Sequence, residues 1–348
     1  MLQDENYRGE PCHDILVQNI KQELAFCEDA DYEQWKKSIR EKLYELSGLH
    51  DIEKNVAEDL EFEIEYEEKK EGYTKIRFSF ASEVGTKVPC YLLIPDTKRD
   101  TYPVAITLQG HSTGFHNSVG EVKFDADVDY QPRGQFGLQA VENGYIALCI
   151  EQRGMGERRS TEKMLYSGNN CNFQGFVALG LGRTLLGERM YDTSKAIDVL
   201  EKFFPQCDIE KILITGNSGG GTASYYAACY DERIKLCVPS CSFCSFRTSI
   251  LSVLHCVCNF IPSAYKYFEM QDLACLIAPR TIAVIAGEKD PIFPIEGVKT
   301  AYDTLSRIYA KVGASDACRL VVTPKDHWWC VDIVWNTINE ETKKLGWW

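Results

Sequence analysis

The chain has 348 residues, 45% hydrophobic and 26% charged, a balance that belongs to a folded globular protein and excludes a mainly disordered one. Its net charge of −13 opposes contact with a phosphate backbone, so nucleic acid is not an expected partner. The longest apolar stretch, near 250–261, is interrupted by Ser252, His255 and Asn259 and is too short to cross a bilayer. Residues Met1 to Asn6 have neither the basic start nor the apolar core of a secretory signal. A cytoplasmic protein with no membrane partner is the expectation, large enough for two average domains or one extended α/β domain.

The first sixty residues predict helices. One runs through Leu16, Ile20 and Leu24, spaced four apart, with Ile15 beside them. A second runs through Trp35, Ile39, Leu43 and Leu46, with Asp31 placed to cap it, Gln34 three positions later and Gly48 as its stop. Residues 1–60 are thus expected to be a helical extension packed on a domain that occupies 61–348. From Glu61 the period changes. Glu61–Glu68 alternates as a half-buried strand does, and Tyr73–Phe80 follows Gly72 as its hairpin partner. Short apolar runs come next: Cys90–Ile94, Val104–Leu108, Tyr145–Ile150, Ile212–Thr215, Ile234–Val238, Thr281–Ala286 and Leu320–Val322. Such runs, separated by helical stretches, predict a mostly parallel sheet covered on both faces, an α/β fold. One intervening helix puts Leu186, Met190, Ile197, Leu200 and Phe204 on one face. The stretch 155–183 has no strand-like run, is rich in Gly and Asn, and is the candidate lid.

Fifteen cysteines are too many for a lone reactive thiol and sit in the wrong places for a secreted disulfide framework. Cys90, Cys149 and Cys237 lie in apolar runs, where a thiol behaves as a small hydrophobe in a reducing compartment. Cys241, Cys244, His255, Cys256 and Cys258 are of zinc-ligand type. Their second half is a tight His-Cys-x-Cys and the segment between is apolar, so buried thiols are the expected reading and no metal is assigned.

The strand Ile212–Thr215 runs directly into Gly216-Asn217-Ser218-Gly219-Gly220, followed by helix-forming Thr222–Tyr230. This is Gly-x-Ser-x-Gly in the strand–turn–helix setting of a nucleophile elbow, where flanking positions without side chains let strand and helix close on a strained serine. Serine needs a base, and the base a carboxylate. After strand Thr281–Ala286 comes Gly287-Glu288-Lys289-Asp290-Pro291; after Leu320–Val322 comes Thr323-Pro324-Lys325-Asp326-His327-Trp328. The candidate catalytic set is therefore Ser218, Asp290 and His327, with Glu288 as the rival acid. For the oxyanion, one donor is the Gly219 amide, and the second comes from Gln109-Gly110-His111-Ser112-Thr113-Gly114, assigned to His111 with Gly110 as the alternative. Arg153 follows another strand and either lines the site or makes a loop-stabilising ion pair. Trp328, with Trp329, either stacks on a sugar ring or belongs to the core.

With these motifs, the chain resembles the α/β-hydrolases, and more narrowly their acetyl xylan esterase-like and dienelactone hydrolase-like branch. The resemblance runs from about Cys90 to Trp329. It is carried by the 109–114 loop, by Gly144-Tyr145 through Arg153-Gly154-Met155-Gly156, by the elbow with its extra Gly221, by Asp231-Glu232-Arg233-Ile234 and by Ile277-Ala278-Pro279-Arg280. It implies a serine hydrolase for small esters, acetylated carbohydrate among them, that needs no cofactor. An oligopeptidase-type peptidase would share the three residues but usually carries a large N-terminal gating domain. A catalytically silent binding protein would not be expected to keep all three.

Overall fold

The computed structural model describes residues 10–160 and 170–348. Among these, nine strands join in one sheet: β1 (Glu63–Lys70), β2 (Tyr73–Ala81), β3 (Lys87–Pro95), β4 (Tyr102–Leu108), β5 (Ile146–Ile150), β6 (Cys207–Asn217), β7 (Ile234–Ser240), β8 (Thr281–Gly287) and β9 (Cys318–Thr323). Their order is β1-β2-β3-β5-β4-β6-β7-β8-β9. The first three strands and the β3–β5 pair are antiparallel, and every pair from β5 onward to β9 is parallel. The predicted α/β sheet is therefore the observed one. Crossing from β5 to β4 and then to β6 reverses the direction in which strands are added, and the ends of β4 and β6 face each other there. At such a reversal, loops diverge and leave room for a ligand.

The two faces of the sheet carry separate apolar layers because successive side chains point to opposite sides. Val104 and Ile106 of β4 join the layer that contains the helices Tyr32–Ser47, Leu185–Phe203, Gly219–Tyr230 and Ile295–Lys311. Ala105 joins the other, with Phe136 and Ala140 of one helix and Val334, Trp335 and Ile338 of the helix Val331–Lys344. No helix among the described residues is long and apolar enough to cross a membrane.

Two expectations are corrected, and a third falls partly outside the described residues. The strand β1 alternates in sequence but is exposed along its whole length, Ile64 and Tyr66 included. It is the sheet's border strand, and no layer covers either face; the aromatic that does pack there is Phe62, stacked 4.1 Å from Phe203, just before the strand begins. The first helix ends at Asn19 rather than continuing to Leu24, and Ile15 and Leu16 are exposed. The Glu23 and Leu24 amides instead donate to the carbonyls of Lys266 and Tyr267, so a distant turn captures this segment. Of the candidate lid 155–183, residues 161–169 lie outside the described residues, and the rest includes the helix Asn170–Gly180.

The second helix, Tyr32–Ser47, forms as its pattern predicts. The Asp31 carboxylate accepts from the Gln34 amide at 2.8 Å, Gly48 ends the helix at φ 77°, and Trp35, Ile39 and Leu43 are buried in the same layer as β6. Truncating Leu43, which is fully buried, should therefore destabilise the whole chain: Leu43→Ala is expected to cost about 2–5 kcal/mol in one cooperative urea transition. An early separate transition of a few residues would instead mark the helix as an independent appendage.

Candidate active site

At the end of β6 the chain turns through Ser218 at φ 57° and ψ −125°, a conformation that a non-glycine residue holds only when its surroundings enforce it. The enforcement is steric. A Cβ on Gly220 would lie 2.0 Å from the Leu108 carbonyl oxygen, and one on Gly216 would lie 2.4 Å from the same atom. Only glycines let the helix Gly219–Tyr230 close so tightly on β4 and β6. The Ser218 amide donates to the Ser240 carbonyl at 2.9 Å, tying the turn to the end of β7, and its hydroxyl does not cap the helix. The helix N-terminus and its free amides thus begin beside a half-buried hydroxyl.

The loop after β8 buries Asp290. Its Oδ1 accepts from the amides of Ile292 and Phe293 at 2.8 and 3.0 Å, and its Oδ2 meets His327 Nδ1 at 2.7 Å. Glu288, the rival carboxylate, is exposed two residues earlier. The imidazole is held further by Phe293, whose ring stacks on it at 5.9 Å. With Nδ1 paired to the carboxylate, Nε2 is the nitrogen left for chemistry. Cys241 connects this pair to the elbow. It follows Ser240, the acceptor of the Ser218 amide, and its thiol contacts the carbonyls of Asp326 and Trp328 on either side of His327.

The loop after β4 completes the enclosure. A Cβ on Gly110 would sit 2.7 Å from the Asn217 carbonyl oxygen and 3.2 Å from the Ser218 Cβ, so only a glycine allows this loop to lie against the elbow. Gln109 anchors it: its Nε2 donates to Ser118 Oγ and the Gly134 carbonyl, and its Oε1 accepts from Tyr130. The start of the loop that carries His111 thereby lies directly against Ser218 and Gly219. The His111 side chain is exposed, with its Nδ1 over Gly219 and its Nε2 3.4 Å from Cys258 Sγ.

Two other predicted residues behave differently. Arg153 is not available to a ligand as a free cation: it is paired with Glu83, Glu188 and Asp192, the ion-pair alternative. Burial opposes the charge on Asp192, yet Arg153 and Arg158 hold its carboxyl well below the usual carboxylate range. Of the two tryptophans, Trp329 is fully buried, donating to Gln139 Oε1 at 3.0 Å, whereas Trp328 is 41% exposed. The Arg133 guanidinium lies 3.8 Å over the Trp328 ring, and both wall a cleft of about 400 Å³ with Pro132 and Lys325. A cleft of about 500 Å³ elsewhere is walled by Arg153, Glu157, Arg158 and the helix Asn170–Gly180, not by Ser218 or His327.

The five residues singled out as zinc-type do not meet. Cys241 lies by Asp290 and His327, Cys244 contacts Thr248 and Pro294, His255 pairs with Ser249, and Cys256 and Cys258 join Cys171 and His111.

Glu151, missed in the sequence, is buried behind the 109–114 loop and accepts from the amides of Phe115 and Glu157. Burial pushes its carboxyl from an ordinary 4.5 up to about 7, against the pull of those two amides. The fold therefore resists ionising a group that the unfolded chain ionises freely, and this contribution to stability is full at low pH and lost as pH rises through about 7. Glu151→Gln stays neutral throughout. Its stability relative to the native chain should improve by up to about 3 kcal/mol between pH 4.5 and 8, read from urea midpoints; parallel pH profiles would refute this.

Comparison with known proteins agrees with this architecture. "Putative hydrolase YtaP" of Bacillus subtilis (strain 168) is 29% identical over 247 residues, covering 69% of this chain and 78% of that protein. The crystal structure of a "putative acetyl xylan esterase" from Bacteroides fragilis NCTC 9343 superposes with a TM-score of 0.78 over 97% of both chains at 18% identity. A glucuronoyl esterase from Solibacter usitatus gives 0.65 at 16% identity, covering 94% of this chain and 99% of that one. Those two likenesses describe the fold. The sequence profile of the Abhydrolase family matches residues 12–313, nearly the whole sheet and its helices, and the chain belongs to that family.

Proposed function

We propose that this chain hydrolyses carboxylic esters through an acyl-serine intermediate, with Ser218 as nucleophile, His327 as base and Asp290 as its orienting acid. The observation that carries the reading is the buried Asp290 carboxylate, saturated by two amides on one oxygen and paired with His327 Nδ1 on the other, at the same sheet edge as the strained Ser218. In this reading Ser218 Oγ attacks the ester carbonyl while His327 Nε2 takes its proton. The amides of Gly219 and of His111 or Gly110 receive the oxyanion. Collapse expels the alcohol, which takes the proton back from His327, and water then repeats the sequence on the acyl-serine to release the acid.

The substrate class follows from the surroundings and the relatives together. Proteins of this fold include ones named acetyl xylan esterase and glucuronoyl esterase. Beside His327 in this chain, the exposed face of Trp328 offers a flat apolar surface of the kind on which a sugar ring stacks. A small acyl ester on a carbohydrate is the best-supported substrate.

Ser218→Ala should lower turnover of p-nitrophenyl acetate and of acetylated xylo-oligosaccharides by at least about a thousandfold, with an unchanged circular dichroism spectrum. The native chain, and not this variant, should react with a fluorophosphonate probe. Near-normal turnover by the variant, or comparable cleavage of peptide amides, would reject the assignment. Asp290→Asn should reduce kcat far more than Glu288→Gln does, and the opposite ranking would move the acid to Glu288.

A further inference from the structure

Beside the proposed Ser218, His327 and Asp290 set, three thiols and one imidazole converge. Cys256 and Cys258 bracket Val257 at the short turn Val257–Asn259, and Cys171 lies in the first turn of the helix Asn170–Gly180. The two elements are locked together. A Cβ on Gly175 would lie 2.3 Å from Val257 Cγ1, so the helix approaches the turn only because that position has no side chain. Asn172 Oδ1 accepts from the Val257 amide at 3.3 Å and lies 3.4 Å from Cys256 Sγ. His111 closes the group from the exposed side, its Nε2 3.4 Å from Cys258 Sγ. One ligand atom from each of the four lies within 4.8 Å of every other.

We propose that His111, Cys171, Cys256 and Cys258 form a tetrahedral site for a thiophilic divalent cation of the zinc class. The dimensions suit one. A tetrahedron with Zn–S of about 2.3 Å and Zn–N of about 2.0 Å has S···S edges of about 3.8 Å and N···S edges of about 3.5 Å. The His111 Nε2–Cys258 Sγ separation of 3.4 Å already matches, and the remaining ligand atoms, all within 4.8 Å of one another, exceed the ideal edges by at most about 1 Å. Cys171 and Cys258 are buried and Cys256 is half-buried, while the imidazole is exposed, so the cation enters from the His111 side.

Charge supplies an independent argument. Arg189 is buried, and among the described residues no carboxylate lies within ion-pairing distance of it. Its guanidinium donates instead to the Arg153 carbonyl and, at 3.4 Å, to Cys171 Sγ. A buried cation without an anion is costly. Loading the site supplies Arg189 with an anionic partner from among the described residues. The dication displaces three thiol protons to solvent and takes neutral His111 through Nε2. The resulting complex carries one net negative charge, directly beside the one positive charge of Arg189. A disulfide between two of the thiols would leave the third thiol, the imidazole and Arg189 unanswered. His111 also belongs to the loop that lies against Ser218, so occupancy would fix that loop's position.

The proposal does not depend on the ester-hydrolase reading, because its readouts are metal content and absorbance. The full-length protein, purified under reductant in metal-scavenged buffer and supplied with Zn2+, should retain about one equivalent by atomic emission. Replacement by Co2+ should give thiolate-to-cobalt charge transfer and the intense visible bands of a tetrahedral site. Cys258→Ser and Cys256→Ser should abolish both signals, whereas Cys27→Ser, at an exposed thiol outside the group, should leave them intact. Arg189→Gln keeps donors to the Arg153 carbonyl but drops the charge, and should weaken cobalt affinity roughly tenfold or more. Circular dichroism separates lost binding from lost folding, and a variant that unfolds is replaced by cobalt titration of the native chain with and without thiol alkylation. Absence of cobalt bands in the reduced native protein, their persistence in folded Cys258→Ser, or isolation of a Cys171–Cys258 disulfide that resists reductant would overturn the proposal.

Discussion

The closeness of backbones around Ser218 governs the rest of this molecule. The Leu108 carbonyl is approached by both Gly216 and Gly220, so β4, β6 and the helix after the elbow share a volume that admits no side chain at either position. That contact holds Ser218 in a conformation it would not choose, because relaxing it would mean separating a central strand pair. It also brings the end of β4 alongside the end of β6, and with it Gly110 and the amides beside the hydroxyl. The geometry of the elbow thus comes from core packing.

A second layer of constraint surrounds this one and is electrostatic. Arg153 and Arg158 bind together carboxylates from two separate parts of the chain, Glu83 and the helix residues Glu188 and Asp192. Elsewhere, Asp127 collects the hydroxyl of Thr113, the ring of His116 and the amides of Lys123 and Phe124. Burial disfavours its charge, but these donors hold its carboxyl well below the usual carboxylate range. Both networks sit under loops at the carboxyl ends of strands. They cross-link those loops to distant segments of the chain.

Features decided by neighbours in the chain were legible before any coordinates. The nine strands announce themselves as short apolar or alternating runs, and the glycines around Ser218 mark a turn whose steric demand is local. The order of Asp290 and His327 after successive strands was enough to nominate them, and the structure brings their side chains together. What depended on remote partners was not legible. Alternation in β1 says which residues could face a layer, but not that the layer is missing. Arg153 looked equally suited to a ligand or an ion pair, because Glu83 and Asp192 reach it from distant segments. The thiols were grouped by sequence proximity, yet Cys258 meets His111, 147 positions away, while Cys241 and Cys244 go elsewhere. Glu151 gave no signal, since nothing in its surroundings on the chain tells that it is enclosed.

The bare strand at the sheet border has a consequence for how copies of this chain behave together. Its outer side presents hydrogen-bonding groups that another strand could match, but its sequence, EIEYEEKK, lines that margin with charged side chains, Glu63, Glu65 and Glu68 among them paired to Lys87, Arg77 and Lys75 of the neighbouring strands. Two such margins meeting would have to strip water from these charges and, in a parallel register, would set like charges opposite each other. The border is consequently guarded against edge-to-edge growth by its charged side chains rather than by a covering element.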